Sequence, residues 1–318
     1  MFGLLPETLQ YWYKNFLSDY NSDVENNKWH PCKTETIDTS TGEIIENPVY
    51  VFKKENLGEN MSIDDKAIGN DVFTILSNHD TGKIALMVEG TKAEDVEMAM
   101  EQFGNELKTI KNISMDMSAA YALATSNLIP FAKQVIDKFH VLKYAYEAVS
   151  EVRNKIRKKI TATLSKGKKK TEEDKQKLSD LEQLRRVRHA ITQSPEKWSE
   201  KMKGTVNEVF EKHNELKKAY QICQSLKSWY NYKNNTKTIK EIFRSLYQWY
   251  NEADEVEEFE SVVKMIQKHE DEIVNFFHCG ITNAKAERLN GKIKKFVSNN
   301  YGVKDRDFIL YRIAGYFS

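Results

Sequence analysis

Residues 111–143 read K-N-I-S-M-D-M-S-A-A-Y-A-L-A-T-S-N-L-I-P-F-A-K-Q-V-I-D-K-F-H-V-L-K. A short apolar run, Ile113-Ser114-Met115, ends on Asp116. An Ala/Leu-rich segment from Ser118 to Leu128 follows and is stopped by Pro130. A second short run, Gln134-Val135-Ile136, ends on Asp137, and a helical pattern starts at Phe139-His140. Parallel α/β sheets present reactive groups in this way, with a carboxylate where each strand runs out. A sheet fixes such a group far more rigidly than a solvated loop does. Asp116 is the first candidate.

Working upstream, Met61-Ser62-Ile63 ends on Asp64-Asp65, and Val72 to Leu76 and Lys83 to Val88 are β-rich runs. Asn78-His79-Asp80-Thr81-Gly82 between the latter two reads as a hairpin loop. A helix is predicted from Ala93 to about Lys108, with Val96, Met100, Phe103 and Leu107 at helical spacing. The order β-β-β-α-β-α-β is that of a ribonuclease-H-like domain, an α/β (α+β) fold. Its first and fourth strands are neighbours, so Asp64 and Asp116 would meet although 52 positions separate them. Asp65, Asp71 and Asp80 compete for the role, Asp65 first because it adjoins the strand end.

Four segments are expected: an N-terminal arm or linker (1–58), the first part of the catalytic core (59–140), a large all-α insertion (141–280) and the rest of the core (281–318). Within the insertion, Val141, Ala145, Ala148, Val152 and Ile156 make one apolar stripe. Between Glu151 and Ala190, 14 Lys/Arg stand against 6 Asp/Glu. A charge run is often just a solvated face. An excess of one sign argues instead for phosphate contact, which makes Arg153, Arg157, Lys168, Lys169 and Lys170 candidate nucleic-acid contacts. Trp198, Trp229, Tyr230, Tyr247, Trp249 and Tyr250 read chiefly as helix core. Base stacking stays open for Trp229 to Tyr232, which lie between Lys227 and Lys233.

The last segment holds N-A-K-A-E-R-L-N-G-K-I-K-K-F, residues 283–296. On a helix, Ala286, Leu289, Ile293 and Phe296 form a buried stripe. Asn283, Glu287, Asn290 and Lys294 cluster on a second face, and Lys285, Arg288, Lys292 and Lys295 form a basic flank. One carboxylate beside amides and a basic wall suits a helix that offers a metal ligand and grips a phosphate backbone. Glu287 is therefore the third acid, and Arg288, Lys292, Lys294 and Lys295 join the nucleic-acid candidates. Three such carboxylates can hold two divalent ions about 3.5–4 Å apart, and hard oxygen ligands select Mg2+ or Mn2+ over zinc.

Taken together, Glu55-Asn56-Leu57-Gly58, Ser62-Ile63-Asp64-Asp65, Gly90-Thr91-Lys92, Met115-Asp116-Met117, Asp137-Lys138-Phe139-His140-Val141 and Glu287-Arg288-Leu289-Asn290 resemble the DDE transposases of bacterial insertion sequences, nearest to the ISL-type branch. The resemblance covers about residues 50–318. It implies a ribonuclease-H-like catalytic domain interrupted by a helical insertion, with the triad on Asp64, Asp116 and Glu287. Asp137 to His140 is similar to the Asp/Cys-x-x-His signature of Mutator-like transposases, which makes His140 a positioning group at the scissile phosphate; a packed core histidine is the competing reading. The chain departs from the pattern at Asp65, where Glu is usual, and at Arg288, where Gly is usual. Nothing before Asp64 resembles the zinc module and helix-turn-helix that relatives carry, so a separate end-recognition polypeptide, or a truncated copy, is implied.

Composition fits this reading. The formal charge is +1 over 318 residues, and no run approaches the roughly 20 apolar residues of a membrane span. Cys32, Cys223 and Cys279 form no disulfide framework and no zinc spacing, which points to a reduced, cytoplasmic setting; the resemblance implies a bacterial, nucleoid-associated one. The expected activity is metal-dependent cleavage and strand transfer at element ends, with DNA and a second copy of the chain as partners. A nuclease that only hydrolyses, and an inactive DNA-binding relic, are the alternatives.

Overall fold

The computed structural model describes residues 5–26, 28–29, 32–37, 41–165, 171–231, 238–300 and 305–318. Lys168, Lys169 and Lys170 lie outside them, as do Tyr232 and Lys233. The fold is mixed α/β, and the chain divides into two units, Met1–Asp137 with His278–Ser318, and Lys138–Phe277.

In the first unit the apolar runs form one sheet. Its strands are β1 (Cys32–Ile37), β2 (Ile44–Phe52), β3 (Asn60–Ile68), β4 (Asp71–Asn78), β5 (Ile84–Glu89), β6 (Asn112–Met115) and β7 (Lys133–Ile136). Their spatial order is β1-β2-β5-β4-β3-β6-β7. β3 pairs antiparallel with β4 and parallel with β6, and β6 pairs parallel with β7.

Strand alternation gives the sheet two apolar faces. Met61, Ile63, Leu76, Ile113 and Met115 pack against Val96, Ala99, Met100, Tyr121 and Ala124, the inner faces of α3 (Ala93–Glu101) and α4 (Ala119–Leu128). Phe73, Ile75, Ile84 and Met87 pack on the opposite side. Their partners are Leu289 and Ile293 of α12 (Ala284–Asn299), and Phe308, Leu310 and Ile313 of α13 (Arg306–Phe317). Two short N-terminal helices, α1 (Pro6–Trp12) and α2 (Tyr20–Glu25), precede β1, and Tyr20 and Trp29 join this second core.

Three details depart from or add to the sequence reading. β3 does not stop at Asp64 but runs on to Ile68, because its pairing with β4 continues beyond its pairing with β6. The helix expected to reach Lys108 ends at Glu101. Gly104, at φ 60°, turns the chain into a 3-10 segment, Gly104–Thr109. The polar arm supplies a hairpin, β1–β2, added to the β5 edge. Its outer strand exposes Lys33 and Glu35, charges that blunt a sheet edge.

Gly90 follows β5 with φ 102°, and a Cβ there would collide with the buried Asp95 carboxylate. Its carbonyl accepts the Thr74 hydroxyl at 2.7 Å. Gly90→Ala is expected to cost about 1–3 kcal/mol, the usual strain of a side chain held at such a φ. A urea midpoint equal to wild type would refute this.

The second unit is helical: α5 (Lys138–Ala162), α6 (Glu172–Arg186), α7 (Glu200–Lys212), α8 (Asn214–Tyr230), α9 (Ile239–Ala253) and α10 (Glu260–Lys268), with α11 (Glu270–Cys279) leading out. Val141, Ala145, Ala148, Val152 and Ile156 of α5 are all buried. Trp229 and Trp249 are core, 4% and 3% exposed, with their indole N–H groups donating to Ile242 O and Ile222 O. Trp229 is therefore not a stacking platform, because its ring is already packed.

Candidate active site

β3 and β6 run parallel with Ser62 opposite Ser114. The same offset of 52 residues brings Asp64 and Asp116 to one level, just past the last paired residues. Alternation assigns the two successive aspartates to opposite faces of β3. Asp64 is half-buried and lies opposite Ile75, on the α12 side; Asp65 is exposed and lies opposite Thr74, on the α4 side.

The Asp64 carboxylate is held at both oxygens. Oδ1 accepts the Asp65 N–H at 3.0 Å, and Oδ2 accepts Asn290 Nδ2 at 2.7 Å. At Asp116, Oδ1 accepts the Ser118 N–H at 2.9 Å, and Ser118 in turn caps α4 by accepting from the Tyr121 N–H. Asp116 is thus fixed by the turn that starts the helix as well as by the strand before it.

Beneath these groups lies Tyr121, 1% exposed, its hydroxyl 3.2 Å from Thr74 Oγ1. Burial, followed by the negative charges of Asp65, Asp116 and Asp64, pushes this phenol well above its ordinary value, against the opposing effect of the Thr74 hydrogen bond.

α12 is joined to the sheet by amides. Asn283 is fully buried and does not cap its own helix. Its Oδ1 accepts the Ser114 hydroxyl at 2.7 Å, Ser114 Oγ lies 2.8 Å from Ser62 Oγ, and the Asn283 N–H donates to Asp137 Oδ1 at 3.2 Å. Two helical turns on, Asn290 reaches Asp64. Asn283, Glu287 and Asn290 stand at i, i+4 and i+7, so they share one stripe of the helix. Glu287, exposed, sits on that stripe between two anchored residues. Ala286, Leu289 and Ile293 are buried as their spacing required, and Phe296 is half-buried against the same core. Lys285, Arg288, Lys292, Lys294 and Lys295 are exposed.

Among the described residues, no group of three or more His, Cys, Asp or Glu side chains stands in metal-holding geometry. The structure brings Asp64 and Asp116 to one level and sets the stripe carrying Glu287 against it. His140 belongs to the second unit, in the first turn of α5. Arg153, expected on a DNA-facing surface, is 5% exposed and donates to Leu184 O and Asn154 Oδ1. The α5 stripe draws it inward with its neighbour Val152.

Sequence reading missed Tyr121, Ser62, Ser114 and the burial of Asn283. One signal was available: Ser62 and Ser114 are hydroxyls inside apolar runs at the same 52-residue offset as the two acids. Of the other residues in the quoted motifs, Asn56 is buried and donates to Ile84 O. Gly58 leaves room for Asn78, whose Nδ2 would lie 2.5 Å from a Cβ at that position.

The family model for ISL3-type transposases, described as Transposase, matches residues 61–313. The chain belongs to that family. No curated protein and no solved structure matches it. The matched span of the transposase begins on β3 and ends on α13, so the acids, the helical unit and α12 all fall within it. Among the described residues, no helix of the transposase is long and apolar enough to cross a membrane.

Proposed function

We propose that this transposase cuts DNA strands at the ends of an insertion sequence and joins the freed 3′ hydroxyl to target DNA, at a ribonuclease-H-like site built from Asp64, Asp116 and Glu287. The observation that carries this reading is α12, tied to Ser114 and Asp137 at Asn283 and to Asp64 at Asn290, with Glu287 between. The strand order β5-β4-β3-β6-β7, antiparallel on one side of β3 and parallel on the other, supports the fold assignment.

The chemistry of the donor set suits Mg2+ or Mn2+, since three carboxylates offer hard oxygen ligands and little else, although the three do not stand in metal-holding geometry here. Two such ions, when bound, supply activation of the attacking oxygen and charge stabilisation of the leaving one. The chain's own residues do the rest. Asp64, Asp116 and Glu287 would hold the ions, and Asn290 Nδ2, donating to Asp64 Oδ2, would fix the plane of that carboxylate, as outer-shell partners of metal ligands generally do. Lys285, Arg288, Lys292, Lys294 and Lys295 grip the phosphate backbone. His140 carries over from the family resemblance as a positioning group for the scissile phosphate. Element ends, target DNA and a second copy of the chain are the partners in this reading.

The test is a strand-transfer assay with a labelled duplex bearing the element's ends and a supercoiled target plasmid, with Mg2+ or Mn2+. Joined product supports the proposal. Nicking with no joined product leaves a hydrolase, and no metal-dependent chemistry at all leaves a DNA-binding relic.

The basic flank gives a separate expectation. Lys292→Gln with Lys295→Gln should lower the log–log salt slope of duplex binding by about 0.9 for each phosphate left unneutralised. Fluorescence anisotropy in EDTA measures this without cleavage. An unchanged slope would return the flank to an ordinary solvated face.

A further inference from the structure

The second unit contains a cleft of about 550 Å³ that the acids do not use, lined by Arg153, Asn154, Arg157, Arg188, His189 and Thr192, among others. Arg153 and Arg157 lie one turn apart on α5, and Arg188 comes from the segment after α6. Arg153 is 5% exposed; two of its nitrogens donate to Leu184 O and Asn154 Oδ1, and its Nε finds no partner among the described residues. The buried Nε of Arg157 finds none there either.

Among the described residues, no carboxylate lines the cleft. Neighbouring cations have one: Arg185 and Arg186 pair with Glu182, and Lys155 pairs with Glu257 and Glu258. None of the three arginines forms an ion pair among the described residues. Arg153 is pulled below its ordinary value by burial first, then by the charges of Arg157 and Arg188. Burying a guanidinium beside like charges opposes folding. The arrangement becomes favourable when an anion enters.

We propose that this cleft seats one phosphate group of the DNA backbone. Guanidinium forks match phosphate oxygens in paired hydrogen bonds, and the Asn154 amide and Thr192 hydroxyl add neutral polar groups. A second cleft of about 480 Å³ continues the track along α5 past Arg157 and Lys158 to Thr161. A linear track suits a chain of phosphates better than an isolated anion. The inference rests on the proposed function only in taking DNA as the ligand, and it requires no chemistry at the acids.

The test uses the full chain, a labelled random-sequence duplex and EDTA. Arg157→Gln with Arg188→Gln should weaken binding at low salt about tenfold or more, the loss expected for hydrogen bonds to a charged group. The log–log salt slope should fall by about 0.9 for each phosphate that no longer meets a cation. Arg185→Gln, at a residue paired outside the cleft, should leave affinity and slope unchanged. Without DNA, the double variant should melt at a higher temperature than wild type, because like-charge repulsion has been relieved; a purely structural arginine cluster would melt lower. Inorganic phosphate replacing chloride at equal ionic strength forms the second arm. If phosphate raises the wild-type melting temperature while the variants keep the wild-type DNA slope, the cleft takes free phosphate and the backbone assignment is overturned. Unchanged DNA binding with no phosphate effect overturns it as well. A protein inactive in strand transfer that still loses its slope in these variants would leave the inference standing.

Discussion

Asp116→Asn should lower metal-dependent strand cleavage at least about a hundredfold, the upper end of what outer-shell changes at metal sites already cost. DNA binding should be nearly unchanged, because it rests on Lys and Arg rather than on the acids. The substitution isolates charge from structure. Asn keeps an Oδ1 to accept the Ser118 N–H, so the turn that starts α4 is retained. What disappears is the anionic oxygen. Asp65→Asn is the matched control: it removes the same charge one residue from Asp64, on the face of β3 opposite α12. Single-turnover cleavage of a labelled duplex, with binding measured separately in EDTA, separates the two. If Asp116→Asn cleaves at the wild-type rate, or Asp65→Asn is the variant that fails, the assignment of the acids falls.

Much of the sheet was legible because its strands are short apolar runs closed by turn residues. Val72 to Leu76, Lys83 to Val88 and Gln134 to Ile136 all lie within or across observed strands. Their periodicity is local and needs no knowledge of the fold. The failures are non-local. Nothing in the sequence near Asp64 says that β3 continues to Ile68, because that depends on a pairing with β4 that β6 does not share. β1 is polar enough to read as loop, and it becomes sheet only by pairing with β2, which itself docks on β5. Arg153 looked like one cation among many, yet α5 buries it. At the site the acids were readable as residues before turns. The amides and hydroxyls that hold them were not, since Ser62, Ser114 and Asn283 acquire meaning only when three distant segments meet.

That meeting point supports the second large expected effect, in Asn283→Asp. Asn283 is fully buried, its Oδ1 accepts the Ser114 hydroxyl, its Nδ2 has no partner among the described residues, and its N–H donates to Asp137 Oδ1. An aspartate there keeps the shape and the acceptor but places a second carboxylate beside Asp137, away from water. An uncompensated buried charge costs about 3–5 kcal/mol, whereas Asn283→Ala, which only breaks the hydrogen bond, should cost about 1–3 kcal/mol. The pH dependence separates the two. Burial and a like charge raise the new acid's pKa in the folded state above the unfolded value of about 3.9. The aspartate variant should therefore match Asn283→Ala or better below that value, lose stability as pH rises above it, and level off once the folded-state pKa is passed. Hydrogen exchange gives the local readout: α12, residues 284–299, should lose protection at neutral pH before β3 and β4 do, because its tie to the sheet is what the charge disrupts. Cleavage should fall in step, since a loosened α12 no longer holds the stripe carrying Glu287 against the sheet. If α12 stays protected at neutral pH in Asn283→Asp, the helix is held by its apolar stripe alone, and the placement of Glu287 argued from its two anchored neighbours fails with it.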